Sequence, residues 1–398
     1  MMMQEKSVRV GIVRAESIGV VFHSEYLLDG KPFIGECTFS PSGAKRFFAP
    51  QSPDATFTLK DVVIGVGFHW ERKEEQTFCG ALELQPEEGM LRAVNVVPVE
   101  TYLTSVISSE MSANASLELL KAHAVISRSW LMVMMSASGQ GSHPHSGKSF
   151  HEQLSADSVI RWYDSEAHQG FDVCADDHCQ RYQGITRQTN PQVVETIAAT
   201  RGQVLTYDGK ICDARFSKCC GGTTEVFESC WEPVRHPYLV AKSDPYCHTT
   251  DQRILSQVLN NYDQETTDFY QWTVRYTTEE LSELVSRKSG IDFGRILALE
   301  PLQRGPSGRI ITLRIVGEKC TVTVGKELEI RKWLSESHLY SSAFTVEQTS
   351  DGFLLHGRGW GHGVGLCQIG AAVMGDQGIP YQEILSFYYP GAELTKQW

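Results

Sequence analysis

Between Val97 and Trp130 the chain reads VPVETYLTSVISSEMSANASLELLKAHAVISRSW, a stretch that fits a helix, a break and a second helix. Pro98 suits the first turn of the first helix, and Glu100 lies near the positive end of its dipole. Tyr102, Leu103, Val106 and Ile107 supply an apolar face. The segment 112–116 then interrupts the pattern, and Asn114 or Ser116 can cap a second helix over 117–135. That second helix is apolar on most sides, yet it carries Lys121 and Arg128 on one face, since residues seven apart fall about 20° from eclipsed. Two cations on a buried helix need partners or a water-filled cleft. Glu110 stands at the break. Beside Val106, Ile107 and Met111 such a carboxyl can be kept protonated and act as a general acid; the alternative is an ordinary solvated carboxylate.

The remainder points to an α+β fold, with a strand-rich N-terminal lobe, a central helical catalytic segment and a mixed α/β C-terminal part around a cleft. Short β-branched or alternating runs (VRVGIV, GVVF, CTFS, TFTL, VVIGVGF, ALELQ, LRAVNVV) fill residues 1–97. Residues 98–248 hold the catalytic helices, a Cys/His loop and a Gly-Gly turn. The polar run 137–160, with His143, His145 and His151, reads as a loop. A mixed α/β lobe is expected over 249–350, with a strand and helix in QWTVRYTTEELSELVSRKSG and hairpins after it. A Gly-rich segment, 351–398, returns to the core and ends in a short helix from Pro380.

Two further patterns carry chemistry. His168, Cys174, His178 and Cys179 place four ligand-type side chains within twelve residues, which fits a closed, structural tetrahedral zinc site; a Cys174–Cys179 disulfide is the alternative. Were one histidine to swing away, the site would open to water and to hydrolysis. Eleven cysteines is an odd number, so at least one thiol is unpaired or metal-bound. The run from Gly357 to Gly365 has glycine at every second position, a backbone built for tight turns or close approach to a ligand. Within it, Trp360 can stack on a sugar and His362 can hydrogen-bond behind the site. The turn Cys219-Cys220-Gly221-Gly222-Thr223-Thr224 offers hydroxyls to a substrate or carboxylate. A net charge of −12 argues against a nucleic-acid partner. No apolar run reaches the length of a membrane span, and the start shows no secretory signal peptide.

In this order the motifs resemble the SpoIID/LytB family, whose sporulation members are peptidoglycan lytic transglycosylases. The matching residues are Tyr102-Leu103, Glu110-Met111, Leu120-Lys121-Ala122, Ala124-Val125 and Arg128, then His178, Cys179, Gln180, Tyr182 and Gly184. Cys220-Gly221-Gly222-x-Thr224, Pro237-Tyr238-Leu239, the segment Gly359–Gly365, Gln368-x-Gly370-Ala371 and Tyr388-Tyr389-Pro390-Gly391 complete the resemblance. Met111-Ser112 departs from the usual Met-Pro, and Ser127-Arg128-Ser129-Trp130 from Ala-Arg-Thr-Tyr, without removing a chemical group. The resemblance implies that Glu110 is the catalytic acid, with Lys121, Arg128, Thr224 and Tyr238 in supporting or substrate-positioning roles. Because a nearby cation opposes protonation of the acid, at least one of Lys121 and Arg128 is expected to be partly engaged elsewhere. It implies cleavage between N-acetylmuramic acid and N-acetylglucosamine to a 1,6-anhydro end, with glycan strands as substrate. A cell-wall amidase or other envelope protein is the implied partner, in an extracytoplasmic location. Two other readings are a non-catalytic peptidoglycan-binding or amidase-enhancing module and a zinc-dependent hydrolase.

Overall fold

A computed structural model describes residues 4–64, 72–112, 115–139, 151–163, 168, 170–176, 179–186, 191–258 and 269–398. The fold is α+β, with strand-rich sheets in the N-terminal half. The chain forms two compact units, one of residues 1–144, 167–213 and 394–398, the other of 145–166 and 214–393.

The first unit begins with β1 (Ser7–Ala15), β2 (Ile18–Leu28), β3 (Lys31–Phe39), β4 (Arg46–Pro50), β5 (Thr56–Ile64), β6 (Arg72–Cys79), β7 (Ala81–Glu87) and β8 (Met90–Pro98). Its sheet runs β1-β8-β7-β4-β2-β5-β6, with β3 on β2. The strands β4 and β6 lie outside the runs picked out from the sequence. Phe22, Phe48, Phe57 and Phe78 are all buried, and Phe57 stacks on Phe78 at 5.6 Å. The two-residue strand Val173–Cys174 extends the sheet, parallel to β1, with Val10 opposite Val173 and Gly11 opposite Cys174. A side chain at Gly11 would overlap the Phe171 ring, so glycine there lets the Cys/His loop dock.

β8 runs directly into α1 (Val99–Glu110), with Pro98 just before the helix. Met111, at its end, is extended (φ −117°, ψ 149°). α2 (Leu117–Gly139) follows, its start capped by Ser116, whose hydroxyl accepts the Leu119 N–H at 3.3 Å; Asn114 lies outside the described residues. The two helices are held by one buried carboxylate. Glu100 accepts from Arg128 Nε (3.1 Å) and Nη2 (2.6 Å), from the Gly202 N–H (2.9 Å) and from Trp398 Nε1 (3.0 Å). Arg128 is fully buried and also donates to the Gln203 carbonyl at 3.0 Å. The cation on α2 thus has its partner on the first turn of α1.

Among the described residues the second unit has two larger sheets and the short parallel pair Phe216–Ser217 with Leu366–Cys367. One orders Ile296–Arg304, Ile310–Gly317, Thr321–Gly325, Ser158–Trp162 and His151–Ser155; the other orders Gln271–Thr277, Gly352–Arg358 and Phe344–Gln348. Helices Thr278–Ser289 and Glu327–Trp333 cover them, over a core that includes Trp272, Leu281, Phe293, Trp333, Phe344 and Leu355. The run 137–160, expected as loop, is corrected in part. Gly139 ends α2, and His151–Ser155 and Ser158–Trp162 form a hairpin whose second strand pairs parallel with Thr321–Gly325. The strand signal in SVIRW was outweighed by the polar residues before it; His143 and His145 lie outside the described residues. No described helix is long and apolar enough to cross a membrane.

Breaking a buried pair leaves one charge uncompensated. Glu100→Ala or Arg128→Met is expected to cost about 3–5 kcal/mol, and the double Glu100→Met/Arg128→Met variant less than the sum of the singles. Hydrogen exchange across α1 and α2 reads this directly: protection there should fall in the singles and recover partly in the double.

Candidate functional site

Glu110 is the last residue of α1 and is half-buried. Its Oε1 accepts the main-chain N–H of Arg181 at 3.2 Å; among the described residues Oε2 has no hydrogen-bond partner. Arg181 lies in the segment that follows the Cys/His loop, and that segment is fastened residue by residue. Gln180 donates to the Ser127 carbonyl on α2 (3.4 Å) and accepts from the Tyr102 hydroxyl on α1 (3.4 Å). The Tyr182 ring stacks on Tyr102 at 5.0 Å, and its hydroxyl donates to Asn95 Oδ1 at 2.5 Å. The Gln183 N–H is bound by the Ser105 hydroxyl at 3.2 Å. Gly184 has φ +60°, and a side chain there would overlap the Thr77 carbonyl. Each described residue of the motif Cys179-Gln180-x-Tyr182-x-Gly184 therefore has a positional reason to be what it is.

Tyr102 connects the parts. It is fully buried, and burial first, then the nearby Cys179, Cys174, Tyr182 and Glu110, holds its phenol well above the ordinary range. Glu110 and the cysteines thus share one neighbourhood.

His168, Cys174 and Cys179 have ligand atoms within 4.8 Å of one another, with His168 Nε2 at 3.3 Å from Cys179 Sγ and the Cys174 N–H at 3.4 Å from the same sulfur. The donor types and spacing fit a single zinc ion. His178, the fourth expected ligand, lies outside the described residues. None of the eleven cysteines is joined in a disulfide.

The other expected site residues are placed as follows. Lys121, on α2, pairs with Glu118 at 2.7 Å, one turn earlier. Arg128 is enclosed with Glu100. At least one cation was expected to be engaged away from Glu110; both are ion-paired, Arg128 with Glu100 and Lys121 with Glu118. Thr224, Tyr238, Trp360 and His362 belong to the second unit. The Thr224 hydroxyl is committed to the main chain, donating to the Val240 carbonyl (2.9 Å) and accepting the Lys242 N–H (3.0 Å). Tyr238 is buried, with its hydroxyl 3.2 Å from His236 Nδ1. Trp360 is half-buried, against Phe269 at 4.8 Å and Tyr340 at 5.1 Å.

The glycine run has an explanation that the sequence hid. Arg309, 1 % exposed, donates from Nε to the Gly361 carbonyl (3.1 Å) and from Nη1 to the Cys220 carbonyl (3.1 Å). Gly363 has φ +77°, and a side chain there would overlap the guanidinium. Glu225, wholly buried, accepts from the Ser307 hydroxyl at 2.6 Å, and that hydroxyl accepts from Arg309 Nη1 at 3.0 Å. The loop is a mould around a buried cation. His362 completes it: Nδ1 accepts the Val364 N–H at 3.0 Å, and the ring also hydrogen-bonds the Phe216 backbone. Burial, followed by Arg215, Arg309 and Arg331, pushes its pKa well below the usual histidine value.

Against known proteins, residues 87–207 match the family Stage II sporulation protein (SpoIID), and residues 225–365 match a domain of unknown function (DUF8618). The Stage II sporulation protein D of Bacillus subtilis is 24% identical over 306 residues, covering 77% of this chain and 76% of its own. Residues 87–207 carry a SpoIID domain. An uncharacterized protein of Brachyspira hyodysenteriae is 27% identical over 318 residues, 80% of this chain and 72% of its own. The amidase enhancer of Bacillus subtilis is 26% identical over 324 residues, 74% of this chain but only 40% of its own length. The SpoIID match spans α1, Glu110, α2 and the Cys/His loop, so the family signature coincides with the first unit's cluster.

Two outcomes test the mould. Gly363→Ala forces a left-handed non-glycine residue against Arg309 and should cost at least about 1–3 kcal/mol, read as a lower unfolding midpoint for the second unit. The pH dependence follows from two histidines. His338 is lowered to about 3 by burial and then by Arg331, Lys332 and Lys288, while His362 is lowered by the causes given above. Folded values below the unfolded value of about 6.5 mean that the unfolded chain takes up protons first. Stability is then full above pH of about 6.5 and falls on acidification toward about 3. Denaturant midpoints of the second unit measured across that range should drop, and His338→Gln should flatten the slope.

Proposed function

We propose that this chain is a peptidoglycan lytic transglycosylase in which Glu110 acts first as acid and then as base. The observation that carries the reading is the placement of Glu110. A carboxylate at a helix end, with one oxygen fixed by the Arg181 main chain and the other without a described partner, can exchange a proton at a set position. The family match over the same residues supports the chemistry.

In the proposed cycle the Glu110 carboxyl gives its proton to the glycosidic oxygen as the bond to C1 of N-acetylmuramic acid breaks. The sugar's own 6-hydroxyl oxygen bonds to C1, and its proton passes to the Glu110 carboxylate. The acid is regenerated, a 1,6-anhydro end is left, and no water enters. One carboxylate suffices, where hydrolysis of a glycoside ordinarily takes two. Arg128 is a positioning residue that fixes α1 through Glu100. Lys121 is assigned a supporting role on α2, where it pairs with Glu118, and Tyr102 with Gln180 holds the segment that donates to Glu110. In the second unit, the half-buried Trp360 indole offers a surface for stacking on a sugar, while Thr224, Tyr238 and His362 are assigned to holding their own loops in shape. Zinc at His168, Cys174 and Cys179, with His178, would cross-link the loop from which Arg181 projects. A cell-wall location follows from this reading, and the SpoIID match supports it.

A second reading rests on the likeness to the amidase enhancer: a module that binds glycan strands without cutting them. One experiment separates the two. Glu110→Gln should lower release of anhydro-muropeptides at least ~100-fold, the lower end of what a proton-transfer group contributes, while circular dichroism stays unchanged. Undiminished anhydro products from that variant, or glycan capture without cleavage by the unaltered protein, would refute the assignment. Separately, Cys174→Ser should remove about one zinc per chain by elemental analysis and reduce turnover through the loop; an unchanged zinc content would refute the metal assignment.

A further inference from the structure

The second unit contains another group of ligand-type side chains, with a different composition. Cys220, Asp244, Cys247 and Cys367 are all buried, and their ligand atoms lie within 4.8 Å of one another. Cys220 Sγ is 3.5 Å from Cys247 Sγ and 3.2 Å from Asp244 Oδ2. Four ligands around a tetrahedral zinc with bonds of about 2.3 Å stand roughly 3.8 Å apart, so these separations suit one ion. An iron–sulfur cluster spreads its thiolates over several iron atoms and would need a wider cage.

The surroundings are built for charged sulfur. The Gly222 N–H points at Cys247 Sγ (3.0 Å), the Cys220 N–H at Cys367 Sγ (3.3 Å) and the Gly370 N–H at the same sulfur (3.4 Å). Main-chain donors aimed at sulfur favour thiolate over thiol, the arrangement that surrounds metal-bound cysteine. Asp244 is oriented by the Tyr388 hydroxyl (2.9 Å, to Oδ2) and the Tyr246 N–H (2.9 Å, to Oδ1). Its place is reserved, because a Cβ on Gly370 would lie 2.6 Å from Oδ2 and overlap the Tyr388 hydroxyl. Cys219, fully buried, lies within hydrogen-bonding reach of Cys247 and Cys367.

We infer that Cys220, Cys247, Cys367 and Asp244 form a second, closed zinc site, structural in role, within the second unit. The ion would join three stretches far apart in sequence: the turn at 219–224, the loop at 244–247 and the start of the helix Gln368–Asp376. Three thiolates select a soft or borderline cation, and a fourth protein ligand leaves no position for substrate water. This site shares no residue with the His168 cluster and does not depend on the transglycosylase reading.

The test is zinc stoichiometry on the full chain, by elemental analysis and native mass spectrometry. In a Cys174→Ser/Cys179→Ser background, which removes the first site, about one zinc per chain should remain, and adding Cys247→Ser should abolish it. Should the added substitution prevent folding, alkylation mapping on the unaltered protein decides instead: Cys220, Cys247 and Cys367 should be protected until a chelator is added. Zinc content unchanged by Cys247→Ser, alkylation indifferent to chelator, or a zinc-free protein with these cysteines oxidised to a disulfide would overturn the inference.

Discussion

Glu100 is the carboxylate on which the first unit turns. Buried, it receives Arg128 from α2, the Gly202 main chain ahead of the strand Gln203–Tyr207, and the indole of Trp398 from the last residue of the chain. An unpaired carboxylate or guanidinium in that position would be strongly disfavoured, so each requires the other. The consequence reaches the far end of α1. With its first turn fixed by Glu100 and its flank by Gln180, Tyr182 and Gln183, the helix delivers Glu110 to one place beside the Arg181 main chain.

Much of this was legible in advance. The break after Glu110, Ser116 as one of two cap candidates and the start of each helix follow from apolar spacing and cap chemistry, whereas α2 runs on to Gly139, past the expected end at 135. The strand and helix over 271–289 and the hairpins over 296–325 follow from alternation and turn residues. The convergence of Cys174 and Cys179 with His168 was readable because the ligands lie close together in sequence. That Lys121 and Arg128 would find partners was also readable from the cost of burying a cation.

The partners themselves were not. Glu100 precedes Arg128 by 28 residues and Trp398 follows Glu100 by 298, and no local pattern links them. Arg309 gave no sign that five alternating glycines fifty residues later were shaped around it. The sulfur cluster was equally hidden, since Cys220 and Cys367 are 147 residues apart and only the fold brings them into contact. Periodicity reports which face a residue turns; it is silent on which distant group waits there.

The account rests on Glu110 working without a partner carboxylate and without water. Digestion of glycan strands in water carrying heavy oxygen, with mass spectrometry of the new termini, tests this most directly. Intramolecular attack by the 6-hydroxyl predicts anhydro ends with no label. Labelled reducing ends would show that water attacks C1, and would contradict the central claim.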